Sequence, residues 1–180
     1  MKNNIIICGL IAGLIVTALM LAAMAKIYDF SYFEGSMMSM VLGYTSMLVA
    51  FSLIFVAVKN YRDKQGEGVI TFGKAFRIGL VVTLIASTMY VGVWLIYYYF
   101  FMPDFYDKYA AHQLLQMKAG GASAAELSKA AANMQIYKNP VVIILMTYFE
   151  ILPVGLLISL LAAVILKRRS NPGNVELAAS

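Results

Sequence analysis

Glu150 is the residue whose surroundings set a chemical problem. It stands in TYFEILPVG, residues 147–155, inside a long apolar run and three residues before Pro153. Counted from Val141 it lies nine residues in, about 13 Å at ~1.5 Å per residue, which is near the middle of a bilayer core about 30 Å thick. A charge at that depth costs ~3 kcal/mol on insertion scales, so the carboxyl must be protonated, paired or turned toward a wet cavity. Hydroxyl groups stand at matching depth in neighbouring apolar runs: Tyr44, Thr45 and Ser46, then Tyr90, with Thr147 one turn away on the same run. The expectation is a polar layer at the midplane, with Glu150, Thr147, Tyr44, Thr45, Ser46 and Tyr90 as binding candidates for a proton or cation. Pro153 withholds the amide that the Phe149 carbonyl would otherwise accept, so Pro153 and Gly155 are the candidate hinge.

One geometric tension goes with this layer. At about 100° per residue, Gly155 and Ser159 point roughly 140° and 180° away from Glu150. The acid and the small-residue stripe therefore face different directions, and this helix needs neighbours on two sides unless a kink rotates them together.

Other chemistry finds little footing. The only histidine is His112 and the only cysteine is Cys8, so no metal-ligand spacing exists and no intramolecular disulfide can form. Met37, Met38, Met40 and Met47 crowd one run, where flexible thioethers fill irregular gaps. Asp29, Glu34, Asp104 and Asp107 lie among aromatics and read as a solvated rim. No nucleophile elbow, zinc-protease helix or phosphate loop is present, so no catalytic residue, metal site or cofactor is assigned and the chain is expected not to be an enzyme.

The elements that must hold this layer follow from composition. Of 180 residues, 62% are hydrophobic and 13% charged, against roughly half and a quarter in soluble domains. Four runs reach the ~20 apolar residues that cross a bilayer: 5–25, 37–58, 78–101 and 141–166. Each must satisfy its own backbone in lipid and is read as a helix. The net charge of +5 comes from residues flanking these runs and is explained by membrane topology, with no nucleic-acid motif beside it. Lys2, the Lys59, Arg62, Lys64, Lys74 and Arg77 connector, and Lys167, Arg168 and Arg169 in the tail (167–180) favour both termini in the cytoplasm. The connector's cations could also attract anionic headgroups, although topology already accounts for them. Trp94, Tyr97, Tyr98 and Tyr99 gather toward the outer end of the third run as an interfacial belt. The first run, ending in Ala23-Met24-Ala25, resembles a signal peptide but exceeds the usual length of its apolar core, so it is taken as a retained span.

Between the third and fourth spans, residues 103–139 predict a small helical hairpin on the outer face. Pro103-Asp104 opens its first helix, Gly120-Gly121 stops it, and Ser123 with Glu126 has capping-box spacing for the second. Gly9 with Gly13, and Gly155 with Ser159 and Ala163, form stripes that let helices approach closely.

Four blocks in this order, LGYTSMLVAFSLIFVAVKNYRDK, ITFGKAFRIGL, QMKAGGASAAEL and YFEILPVGLLISLLAAVILKRR, resemble the bacterial membrane family called domain of unknown function 4199. The likeness runs along nearly the whole chain. It implies a four-span inner-membrane protein, with Glu150, Pro153 and Gly155 in the family's most distinctive segment, and it implies no activity. The expectation is therefore an all-α integral membrane protein, a single membrane domain over 1–180 in the bacterial inner membrane. Its role is read as structural, accessory or partner-binding, in contact with the lipid bilayer and with a membrane partner or further copies of itself. The alternative is a small proton- or cation-linked transport or channel subunit using Glu150.

Overall fold

The computed structural model describes residues 2–26 and 37–168, with side chains for 3–24 and 41–168. Seven helices carry the described chain: α1 Lys2–Lys26, α2 Met37–Phe51, α3 Leu53–Gln65, α4 Phe72–Phe101, α5 Phe105–Ala119, α6 Ala124–Met134 and α7 Pro140–Leu166. A 3₁₀ turn, Gln135–Lys138, links α6 to α7. Four stretches are long and apolar enough to cross a membrane: Asn3–Met24, Val41–Gln65, Phe72–Phe101 and Pro140–Leu166. They match the four runs read from sequence.

The second of these contains a local fault. Ser52 keeps helical dihedrals, but its hydroxyl donates to the Val49 carbonyl at 2.7 Å, and the Phe55 amide turns to the Ser52 carbonyl at 3.0 Å. A serine that competes for a backbone acceptor tightens the helix for one turn without ending it.

Helix ends fall beyond the apolar limits. The second span was expected to stop at Val58, yet α3 continues to Gln65; the third was expected from Ile78, yet α4 starts at Phe72. Apolar composition marks where lipid ends, whereas a helix ends where its backbone is capped or broken. Here the terminator is Gly66, whose amide donates back to Tyr61 and Arg62 at 3.1 and 3.2 Å. A Cβ at Gly66 would collide with the Val69 carbonyl. Glu67 (φ 48°) and Gly68 (φ 82°) then turn the chain through the left-handed region. It emerges with Ile70 paired to Arg168, each amide donating to the other's carbonyl at 3.0 and 2.9 Å.

The chain divides into two compact units, Met1–Tyr90 with Ile151–Ser180, and Val91–Glu150. Read from sequence it is one membrane domain; the division passes through the interiors of α4 and α7, which both run on unbroken.

In the first unit α1 packs on α2 and α3, and both small-residue stripes do what their spacing predicts. Gly9 lies against Ile85, and Gly13 against Met89 and Ala86. On α7, Ser159 lies against Gly79, where an added Cβ would come within 2.7 Å of the Ser159 Cβ; one at Gly155 would collide with Thr83 Cγ2. The Ser159 hydroxyl donates to the Gly155 carbonyl at 2.7 Å. With its proton committed there, it accepts from Thr83 Oγ1 across the helices at 3.2 Å. Phe51, Ile54, Val58 and Val82 are fully buried nearby. Two other buried hydroxyls, Thr17 and Ser87, have no partner among the described residues.

The second unit contains the expected hairpin. α5 stops at Gly120 and Gly121 (φ 87°). Ser123 caps α6: its amide and hydroxyl both donate to Glu126 Oε2 at 2.8 Å, and its oxygen accepts the Glu126 amide at 3.3 Å. These bonds hold the exposed Glu126 carboxyl below its ordinary range. Asn139 then caps α7 by accepting the Val141 amide at 2.9 Å.

The α4–α7 seam predicts contrasting glycine substitutions. Gly155→Val should lower stability in detergent by ~1–3 kcal/mol through overpacking. Gly43→Ala, where an added Cβ meets nothing within 4 Å, should shift it by less than ~1 kcal/mol. Equal effects in thermal unfolding of the two variants would contradict the seam.

Candidate functional site

α7 carries both the acid and the seam, and its burial pattern separates them. Gly155 and Ser159 are buried, while Met146, Phe149, Glu150, Pro153, Leu157 and Leu160 are exposed. At about 100° per residue these six share one arc of the helix. The transition is abrupt: Phe149 is 77% exposed, Glu150 is exposed, and Ile151 is at 0%. Glu150 is thus among the exposed residues of α7, while Gly155 and Ser159 are buried. No hydrogen bond or ion pair reaches Glu150 among the described residues. α7 is continuous through Pro153, so the Phe149 carbonyl, which lacks its usual amide, needs another donor in lipid.

The other residues of the expected polar layer stand as follows. Thr147 is buried, and its hydroxyl donates to the Ile143 carbonyl at 2.8 Å on its own helix. Ser46 does the same to Gly43 at 2.6 Å. Tyr44 and Thr45 are exposed, and Tyr90 is half-buried against the core of the first unit. Tyr44, Thr45, Ser46 and Tyr90 belong to one unit and Thr147 and Glu150 to the other. Local back-bonding is the economical fate of a helical hydroxyl in an apolar setting, and spacing along a sequence does not reveal it. Gly155, read as half of a hinge, lies against Thr83 and Phe51.

Sequence reasoning missed Tyr106, on whose ionisation the Glu150 carboxylate acts. α4 ends at Phe101 and α5 begins at Phe105, so a three-residue turn reverses the chain and sends the start of α5 back along α4. Phe105 meets Trp94 edge-on at 5.4 Å, and Tyr106 meets Tyr98 at 5.2 Å. Burial pushes the Tyr106 phenol above its ordinary value. Tyr98 and then the nearby Glu150 carboxylate oppose its ionisation further, while a hydrogen bond from Trp94 pulls the other way. The aromatics read as an interfacial belt are therefore in part the floor on which α5 docks. The brevity of the Met102–Asp104 turn was the signal for it. Of the outer carboxylates, Asp107 pairs with Lys138 at 2.5 Å; Asp29 and Glu34 lie outside the described residues, as do the side chains of Met37, Met38 and Met40. Among the described residues no group of three or more His, Cys, Asp or Glu is placed to hold a metal ion.

Four helical stretches of spanning length, a seam of glycine and hydroxyl residues, and a lone acid on an open apolar face define a multi-pass α-helical membrane protein. The chain belongs to the family described as protein of unknown function DUF4199, whose model matches residues 7–168. No curated protein and no solved structure matches it.

The Tyr106 environment gives a titration with a definite sign. A phenol whose folded pKa is raised favours the folded state while protonated. That stability is complete below the unfolded value of about 10 and falls as pH climbs from there toward the folded pKa. In an ultraviolet titration of the folded protein, Tyr106 should ionise late. Glu150→Gln should bring it earlier, and Tyr106→Phe should delete that late step. An unchanged Tyr106 step in Glu150→Gln would separate the two groups.

Proposed function

We propose that the chain is a non-enzymatic component of the bacterial cytoplasmic membrane, with both termini in the cytoplasm, that works by binding another membrane protein or a second copy of itself sideways through the open face of α7. The observation that carries this reading is the exposure of Glu150 beside a fully buried Ile151. A carboxylate facing lipid at this depth costs ~3 kcal/mol, and a covering helix that offers a donor or a cation removes that cost. The flanking Phe149 and Leu157 supply apolar surface for such a helix. A transport reading retains one supporting feature: Pro153 stands three residues beyond the acid on the same helix, and midplane acids beside interrupted helices recur in transporters.

Mild-detergent purification from native membranes separates the two. Wild type is expected to bring down a stoichiometric partner chain or to run as an oligomer, and Glu150→Leu to reduce that association by about tenfold or more. A monomeric wild type that moves protons through liposomes on its own, and loses the flux in Glu150→Gln, would replace the binding role with transport.

A further inference from the structure

The ends of α3 and α7 and the start of α4 meet in the first unit and bring together cations that are far apart in sequence. Arg62 Nε donates to Asp63 Oδ1 at 2.7 Å. That bond fixes the plane of the guanidinium and leaves its terminal NH₂ groups for an outer acceptor. Arg62 is the more enclosed of the pair, with its side chain 20% exposed against 43% for Asp63. Lys59 stands one turn earlier on α3. Lys59 and Arg168 both lie close enough to Asp63 to act on its charge. Arg168 comes from the far end of the chain and is held there by the reciprocal backbone pairing with Ile70. Beside them, Lys74 sits over the Tyr61 ring at 5.3 Å.

Membrane topology explains why these residues are basic; it does not explain why three of them converge on one carboxylate. Topogenic charge acts during insertion and needs only to be in the right loop. Here the loop is fixed instead. Gly66 admits no side chain, Glu67 and Gly68 take the left-handed turn, and the Ile70–Arg168 pairing closes it. An anion approaching this end meets a guanidinium already oriented and two further positive charges, offset by Asp63 and by the exposed Glu67 of the turn. The ends of spanning helices also lie at the depth of lipid phosphates.

We propose that Lys59, Arg62 and Arg168 form a binding site for the phosphate of an anionic phospholipid headgroup, with Asp63 as the positioning residue that orients Arg62. The site depends on the membrane reading of the chain and is independent of any role for Glu150.

Because the Ile70–Arg168 pairing uses backbone atoms only, Arg168→Gln removes the charge and keeps the closure. The full chain is placed in nanodiscs of pure phosphatidylcholine, or of phosphatidylcholine with phosphatidylglycerol, and lipids retained on release are counted by native mass spectrometry. Wild type is expected to retain phosphatidylglycerol preferentially. Arg62→Gln with Arg168→Gln should weaken that preference by about tenfold or more, the loss expected for two basic groups at an anionic surface. Lys129→Gln, on α6, should leave it intact. Circular dichroism checks that each variant is folded, and single Arg62→Gln and Arg168→Gln variants serve if the double variant is not. Equal retention of both lipids, or full retention by the folded charge variants, overturns the proposal. Displacement of the lipid by millimolar inorganic phosphate would overturn it too, assigning the site to a soluble phosphate.

Discussion

The close approach of α4 and α7 is the constraint on which the rest depends. Helices in lipid gain little from apolar burial against one another, because the surrounding chains are as apolar as the side chains; contact must come from packing and from hydrogen bonds. Gly79 and Gly155 supply the room, and Thr83 and Ser159 use it for a bond between helices that sits on Ser159's own bond to the Gly155 carbonyl. A side chain at either glycine would force the backbones apart and break that chain of donors. Once the seam is set, the rotation of α7 is set with it. On the same helix Glu150 is exposed and the adjacent Ile151 is fully buried.

The features legible in the sequence were those governed by local rules. Gly9 with Gly13, and Gly155 with Ser159, are spaced to share a helix face, and each met a neighbouring helix. Ser123 and Glu126 are spaced for a capping box, and both halves of it form. Helix ends were less legible, since α3 runs seven residues past the last apolar one, Val58, until Gly66 stops it. Within the expected hydroxyl layer, the bonding of individual side chains was not legible. Ser46 and Thr147 can satisfy themselves on their own backbones, and that choice depends on rotamers that spacing does not encode. Tyr106 was missed because its place depends on a chain reversal, which puts residues of α5 beside Trp94 and Tyr98 on α4.

The two candidate regions use opposite physics. Around Glu150 a single charge is set in an apolar face, so its cost is high and anything that covers it gains. Around Arg62 several like charges are set at a helix end, where water and headgroups already screen them, and the benefit comes from orientation by Asp63 and from the fixed turn. A membrane component with the first feature has a reason to bind sideways, and one with the second has a reason to prefer particular lipids around it.

The rotation of α7 can be measured directly with a nitroxide spin label in single-copy nanodiscs, placed at Glu150→Cys or at the adjacent Ile151→Cys in a Cys8→Ala background. The account predicts high oxygen accessibility at 150, as for a lipid-facing site, and low accessibility at 151. A label at 150 that is as shielded as the one at 151 would mean that the carboxylate is covered within the chain itself, and the open face, with the partner-binding role built on it, would be wrong.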